Sequence, residues 1–173
     1  MAHRPIQNRP SRPAKNPIIR REWRRISARL RRKGVQNTCD YVVLLIRSDP
    51  YPLTFGRRLI EYLLKRREHD AAGRIIEALE LRGIEHPLLG RLHSIWLWCM
   101  GRRSAALRFA LKSARRWPKS YVVHHVGTIY RAMYNRTGFE YQRKKAEQYW
   151  RLAHVLVKQE EEEDAKHRTS QKP

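Results

Sequence analysis

Residues 55–84 and 89–118 match one another at an offset of 34. Gly56 falls on Gly90, Arg57 on Arg91, Leu63 on Leu97, Ala71 on Ala105, Ala72 on Ala106 and Arg74 on Arg108, six of the seven identities in these thirty positions. Tyr62 against Trp96 and Ile75 against Phe109 keep bulky character in place. Self-similarity at this period points to stacked helical hairpins, because one hairpin cannot bury its apolar face alone. The expected fold is all-α: a short right-handed solenoid of about three antiparallel hairpins spanning 53–159.

The repeat resembles the tetratricopeptide family. In the third unit Val126-Gly127-xx-Tyr130 is similar to the Leu-Gly-xx-Tyr part of that family's first helix. Ala146-xxx-Trp150-xx-Ala153 is similar to the Ala-xxx-Phe-xx-Ala part of its second, as are Ala106, Ala110 and the closing Trp117-Pro118 in the second unit. The departures are plain. His93-Ser94 stands where Leu-Gly is expected, and Ile60 stands where a small residue belongs. Tyr130 and Ala146 are sixteen positions apart, so Tyr134 to Gly138 is read as an enlarged turn. Small residues such as Gly127, Ala72, Ala106 and Ala146 are expected to admit close helix approach, with Tyr130, Trp150 and Phe109 filling the space between helices.

The first fifth of the chain differs from the rest. Residues 1–33 hold twelve Lys/Arg and one acid, Glu22. Pro5, Pro10, Pro13 and Pro17 deny the first part a helix, so it reads as an extended basic arm. From Ile18 the apolar residues Ile19, Trp23, Ile26 and Leu30 recur at helical spacing until Gly34. Such a basic amphipathic helix either docks on its own domain through the apolar stripe or binds RNA; a membrane surface is the lesser alternative. Residues 34–52 form a leading helix and linker, with Thr38 as its N-cap and Asp40 in its first turn. A charged tail, 160–173, begins with Glu160-Glu161-Glu162-Glu163-Asp164, acids that oppose the negative end of a helix dipole and should make that end fray.

The whole chain carries 38 Lys+Arg against 16 Asp+Glu, a net charge of +22. Self-repulsion on that scale is relieved most simply by a polyanion, of which nucleic acid is the commonest, followed by an anionic membrane surface or an acidic protein. No phosphate loop, GxGxxG, HExxH or GxSxG occurs, so the chain reads as a non-enzyme with no cofactor and no small-molecule substrate. His124-His125, the one tight histidine pair, lacks a carboxylate or cysteine at ligand spacing, and no metal is expected. Cys39 and Cys99 stand alone, which suits a reducing intracellular compartment; Cys99 reads as a buried small hydrophobe. The longest apolar runs, 41–46 and 95–100, fall well short of a membrane span, and no signal-peptide stretch follows the basic N-terminus.

The tetratricopeptide resemblance implies a concave groove lined by the first helix of each unit, with the fifth residue pointing inward. With units starting near Leu53, Pro87 and Ser120, those residues are Arg57, Arg91 and His124, with Arg58, Lys65 and Arg131 nearby. The candidate nucleic-acid contacts are these together with Arg20, Arg21, Arg24, Arg25, Arg29, Arg31, Arg32 and Lys33. Trp98 is a candidate for stacking an unpaired base, although a core position is the more usual one for a first-helix aromatic, which packs the next hairpin. The expected function is RNA binding, as a structural or assembly component of a ribosome or other ribonucleoprotein. One alternative is a protein-interaction adaptor for an acidic peptide. Against it, Glu61, Ile95 and Thr128 stand where the resemblance would place the asparagines of a carboxylate clamp. A small viral or regulatory nucleic-acid-binding protein is the other.

Overall fold

The computed structural model describes residues 17–48 and 52–170, with side chains for 21–48 and 53–167. The arm's first sixteen residues lie outside them. Every secondary-structure element among the described residues is a helix: α1 Pro17–Ser48, α2 Pro52–Lys65, α3 His69–Leu81, α4 Pro87–Cys99, α5 Arg103–Arg116, α6 Ser120–Thr137 and α7 Glu140–Ser170. Proline stands at the first position of α2 and α4, where its fixed φ suits a helix start and its missing N–H costs nothing. The first helices of the repeat thus begin at Pro52, Pro87 and Ser120.

Three helix pairs lie antiparallel, and small residues set how closely. A Cβ placed on Gly90 of α4 would lie 2.5 Å from Ser113 Oγ of α5. The repeat-equivalent contact, 34 residues earlier, is Gly56 of α2 against Leu79 of α3, where the distance is 3.2 Å. Gly127 of α6 packs on α7, where a Cβ would lie 2.6 Å from Trp150 Cδ1 and 3.0 Å from the Ala146 carbonyl oxygen. Between pairs, α3 packs on α4 and α5 on α6, while α2 also meets α4 and α4 meets α6. Trp96 locks the first junction: its ring lies against Gly73, and its indole N–H donates to the His69 carbonyl at 2.9 Å.

α1 is two helical runs joined at Gly34, whose φ of 76° and ψ of 179° are open to glycine and almost nothing else. The kink lets both runs pack on α2 and α3. Ile26, Val42 and Ile46 are fully buried in the same core as Leu59, Leu63 and Ile75. At about 1.5–3 kcal/mol for each buried aliphatic side chain, burying three of them is a large share of a domain's net stability of about 5–15 kcal/mol. Among the described side chains of the amphipathic stripe, Ile26 is buried and Trp23 and Leu30 pack against the same core. A second cluster, around Ala110, Val126, Ile129, Tyr130 and Ala146, holds α5, α6 and α7 together.

Four expectations need correction. Thr38 does not cap a helix; it is fully buried inside α1, and its hydroxyl donates to the Gly34 carbonyl at 2.7 Å. Residues 134–137 form no enlarged turn, because the extra residues lengthen α6, which stops only where Gly138 takes a left-handed φ of 71°. Cys99 lies exposed in the last turn of α4, and the buried cysteine is Cys39. The acids after Glu160 do not fray α7, which continues to Ser170.

Candidate nucleic-acid interface

Docking of the α1 stripe leaves its cations outside. Trp23 and Leu30 flank the core, whereas Arg21, Arg24, Arg31, Arg32 and Lys33 are exposed and, among the described residues, have no acidic partner. Arg25 pairs with Glu22 at 2.7 Å. Arg20 lies in α1, with its side chain outside those described. Arg29 is half-buried at the kink: its guanidinium lies 4.7 Å from the centre of the Tyr41 ring, and its Nε donates to the Asn37 carbonyl at 3.4 Å. Arg25, Ala28, Arg29, Arg32, Lys33 and Tyr41 line a shallow depression there. Arg58 of α2 lies 5.9 Å from the Trp23 ring centre and so ties the α1 face to the repeat.

Arg57, Arg91 and His124 share a second electrostatic neighbourhood. Burial pushes the Tyr121 phenol up; Arg91 and Arg57 oppose the rise and Glu160 adds to it, so all four charged or phenolic groups lie close together. Burial, then Arg91, lowers His124, and burial, then Arg57, lowers His86. Carboxylates already hold part of this charge. Arg57 donates to Glu61 at 2.9 Å, and Glu160 accepts both the Ser120 backbone N–H at 2.9 Å and the Ser120 hydroxyl at 2.7 Å. The Arg91 Nε is buried without a hydrogen-bond partner. Lys65 and Arg131 are exposed, but stand about 12 Å and about 10 Å along their helices from Arg57 and His124. Arg131 lies over Tyr134, 5.3 Å from its centre.

The histidine pair divides. His124 is exposed and stacks on Trp150 with ring centres 6.1 Å apart, while His125 is buried and hydrogen-bonded to Ser94 at 2.6 Å. Trp98 is half-buried against the second core cluster with Arg103 over its ring at 5.8 Å, so its stacking face is already occupied. No group of three His, Cys, Asp or Glu residues among the described residues is placed to hold a metal ion, and no described helix is long and apolar enough to cross a membrane.

A third basic surface lies on α5, where the sequence marks only Arg115-Arg116, as a helix-end cluster. Arg108, Lys112 and Arg115 are exposed along one side of α5 and line a shallow concavity with Leu111 and Arg116. Arg116 is paired with Glu85 and lies 4.8 Å from the Trp117 ring centre. The overlooked signal is an absence: from His86 to Phe139 the sequence has no Asp or Glu but ten Lys/Arg. Every acid that neutralises these cations must come from another part of the chain.

Comparison with protein-family models, with curated proteins and with solved structures finds no match to this chain.

Proposed function

We propose that this chain is an RNA-binding helical-repeat protein of the tetratricopeptide-like type, acting as a structural or assembly component of a ribonucleoprotein. The three hairpins α2/α3, α4/α5 and α6/α7 make the solenoid. Its support is the succession of α2 on α4 and α4 on α6 along one side, with each second helix packed on the next hairpin's first.

The observation that carries the RNA reading is the division of labour in α1. Ile26 of its apolar stripe is buried and Trp23 and Leu30 pack beside it, so these residues are not kept free for a membrane. Five further cations stay exposed without an acidic partner among the described residues. Such surface cations, with Arg32 and Lys33 beside the half-buried Tyr41, suit backbone phosphates, which fix a protein on a nucleic acid without reading its sequence. An acidic-peptide groove at Arg57 and Arg91 is the weaker reading, because Glu61 and Glu160 already supply carboxylates there.

The test is fluorescence anisotropy of a single-stranded RNA with the full chain. Replacing Arg24, Arg31 and Arg32 by Ala should flatten the slope of log K against log salt by about 2, since each single-strand phosphate contributes about 0.7. Replacing Arg57 and Arg91 by Ala should change it less. The reverse ranking would move the binding site to the groove.

A further inference from the structure

We infer that the α5 face is a second, separate RNA-binding surface, so that one chain holds two RNA segments at once and bridges them. This rests on the RNA reading of α1 and extends it from binding to bridging.

Three observations carry it. Arg108, Lys112 and Arg115 sit at i, i+4 and i+7, which puts all three on one side of α5, and all three are exposed. None has an acidic partner among the described residues: of the two acids that face α5 from α3 and its following loop, Glu85 is taken by Arg116 and Glu80 by His93. The helix itself contains no Asp or Glu, and neither do its flanks over 86–139. A solvated helix face ordinarily mixes both signs, with acid–base pairs at i, i+4. An uninterrupted cationic side is costly to the free protein and is relieved by a polyanion.

The face is distinct from that of α1. α1 packs on α2 and α3, whereas α5 packs on α4 and α6, and the two share no packing contact. Between them stand α3 and its following loop, which expose Glu77, Glu80 and Glu85. Glu80 is engaged by His93 at 2.5 Å and Glu85 by Arg116, so the ground between the two faces carries acids as well as Arg74 and Arg82, unlike the uninterrupted cationic side of α5.

The geometry gives α5 phosphate contacts and no base readout. The aromatic rings at its two ends, Trp98 and Trp117, are each covered by an arginine, Arg103 and Arg116. Binding there should be independent of base sequence and steeply dependent on salt.

The test uses the full chain and a uridine oligonucleotide of about six nucleotides, near the lower end of single-strand site sizes. Wild type should take two oligonucleotides per chain in a calorimetric titration and should bring donor-labelled and acceptor-labelled copies into energy transfer. The variant R108A/K112A/R115A, which keeps helix-favouring residues at exposed positions, should take one and lose the transfer. A control of equal charge loss, R136A/K144A/K158A, should keep two. Wild type saturating at one, a triple α5 variant that keeps two, or a control that also drops to one would each overturn the second surface. Failure of the parent reading looks different: wild type would then bind no RNA, or R24A/R31A/R32A would still take two.

Discussion

The Ser94 hydroxyl and the His125 imidazole meet 2.6 Å apart where α4 crosses α6, both of them buried. This joins the second and third helix pairs by a polar contact inside an apolar junction, and it makes the junction sensitive to protons. Burial, reinforced by Arg91 and His124, lowers His125 from 6.5 to about 4. A base whose folded pKa is depressed leaves the unfolded state holding more protons between the two values, so stability rises with pH across that window. The contribution is present above about pH 6.5 and is lost as the pH falls toward about 4, with about 3 kcal/mol as its ceiling. His86 and His124 are lowered too and add in the same direction. The urea midpoint should therefore fall between pH 6.5 and pH 4, and less so in His125→Gln. Parallel curves for the two proteins would remove His125 from the account.

The third helix pair depends on the absence of a side chain. Gly127→Ala would set a methyl group 3.0 Å from the Ala146 carbonyl oxygen and 2.6 Å from the Trp150 ring, and backbone cannot step aside. The expected loss is about 1–3 kcal/mol, the usual cost of overpacking. Gly56→Ala is the contrast. Its methyl would meet only the tip of Leu79 at 3.2 Å, which can turn away, and alanine gains about 1 kcal/mol of helix propensity. Thermal melts should show the first variant clearly destabilised and the second near wild type.

The kink in α1 makes a different demand on its glycine. No atom lies within 4 Å of where a Cβ on Gly34 would sit, so the whole cost of Gly34→Ala is backbone strain at φ 76° and ψ 179°. That is worth about 1–3 kcal/mol. Relief of the strain would straighten the two runs and separate Arg29 from Tyr41, which the kink holds 4.7 Å apart. Gly34→Ala should therefore lower both stability and RNA affinity, whereas an alanine at exposed Gln36 should change neither by much. Retained RNA affinity in Gly34→Ala would separate the kink from the binding face.

These particulars show which parts of the molecule could be read from its sequence. The offset of 34 located the first two helix pairs because Gly56 and Gly90 make the same interhelical contact with Leu79 and Ser113. The end of the first helical run was visible in Gly34, and the α1 arginines in simple charge. Thr38 misled because threonine favours caps locally, whereas here a positive-φ glycine already begins the second run and leaves Thr38 to be buried. Tyr134 to Thr137 misled because Asn135 and Gly138 resemble a turn, yet only the left-handed Gly138 ends the helix. The α5 face was missed because motif reading looks for what is present, and its mark is a long stretch without acids. The acid run at 160–164 was expected to loosen α7, but its first carboxylate has a tertiary partner that local charge rules cannot see.

That carboxylate gives the last prediction. Glu160 accepts the Ser120 backbone N–H and hydroxyl together, so it caps α6 from another helix and compensates the positive end of its dipole. Loss of a capping acceptor typically costs about 0.5–2 kcal/mol, so Glu160→Ala should destabilise the chain by about that amount. The same carboxylate stands beside Tyr121, where it offsets the charge of Arg91 and Arg57. Its removal leaves those arginines facing an uncapped helix N-terminus, which is itself a ready anion site. Glu160→Ala should therefore lose stability and yet bind single-stranded RNA more tightly, with a steeper salt dependence. Glu161→Ala removes equal charge from an exposed neighbour and serves as the control, with little effect on stability. If the two variants gain RNA affinity equally, the gain is one of net charge alone, and the groove at Arg57 and Arg91 contributes no contact of its own.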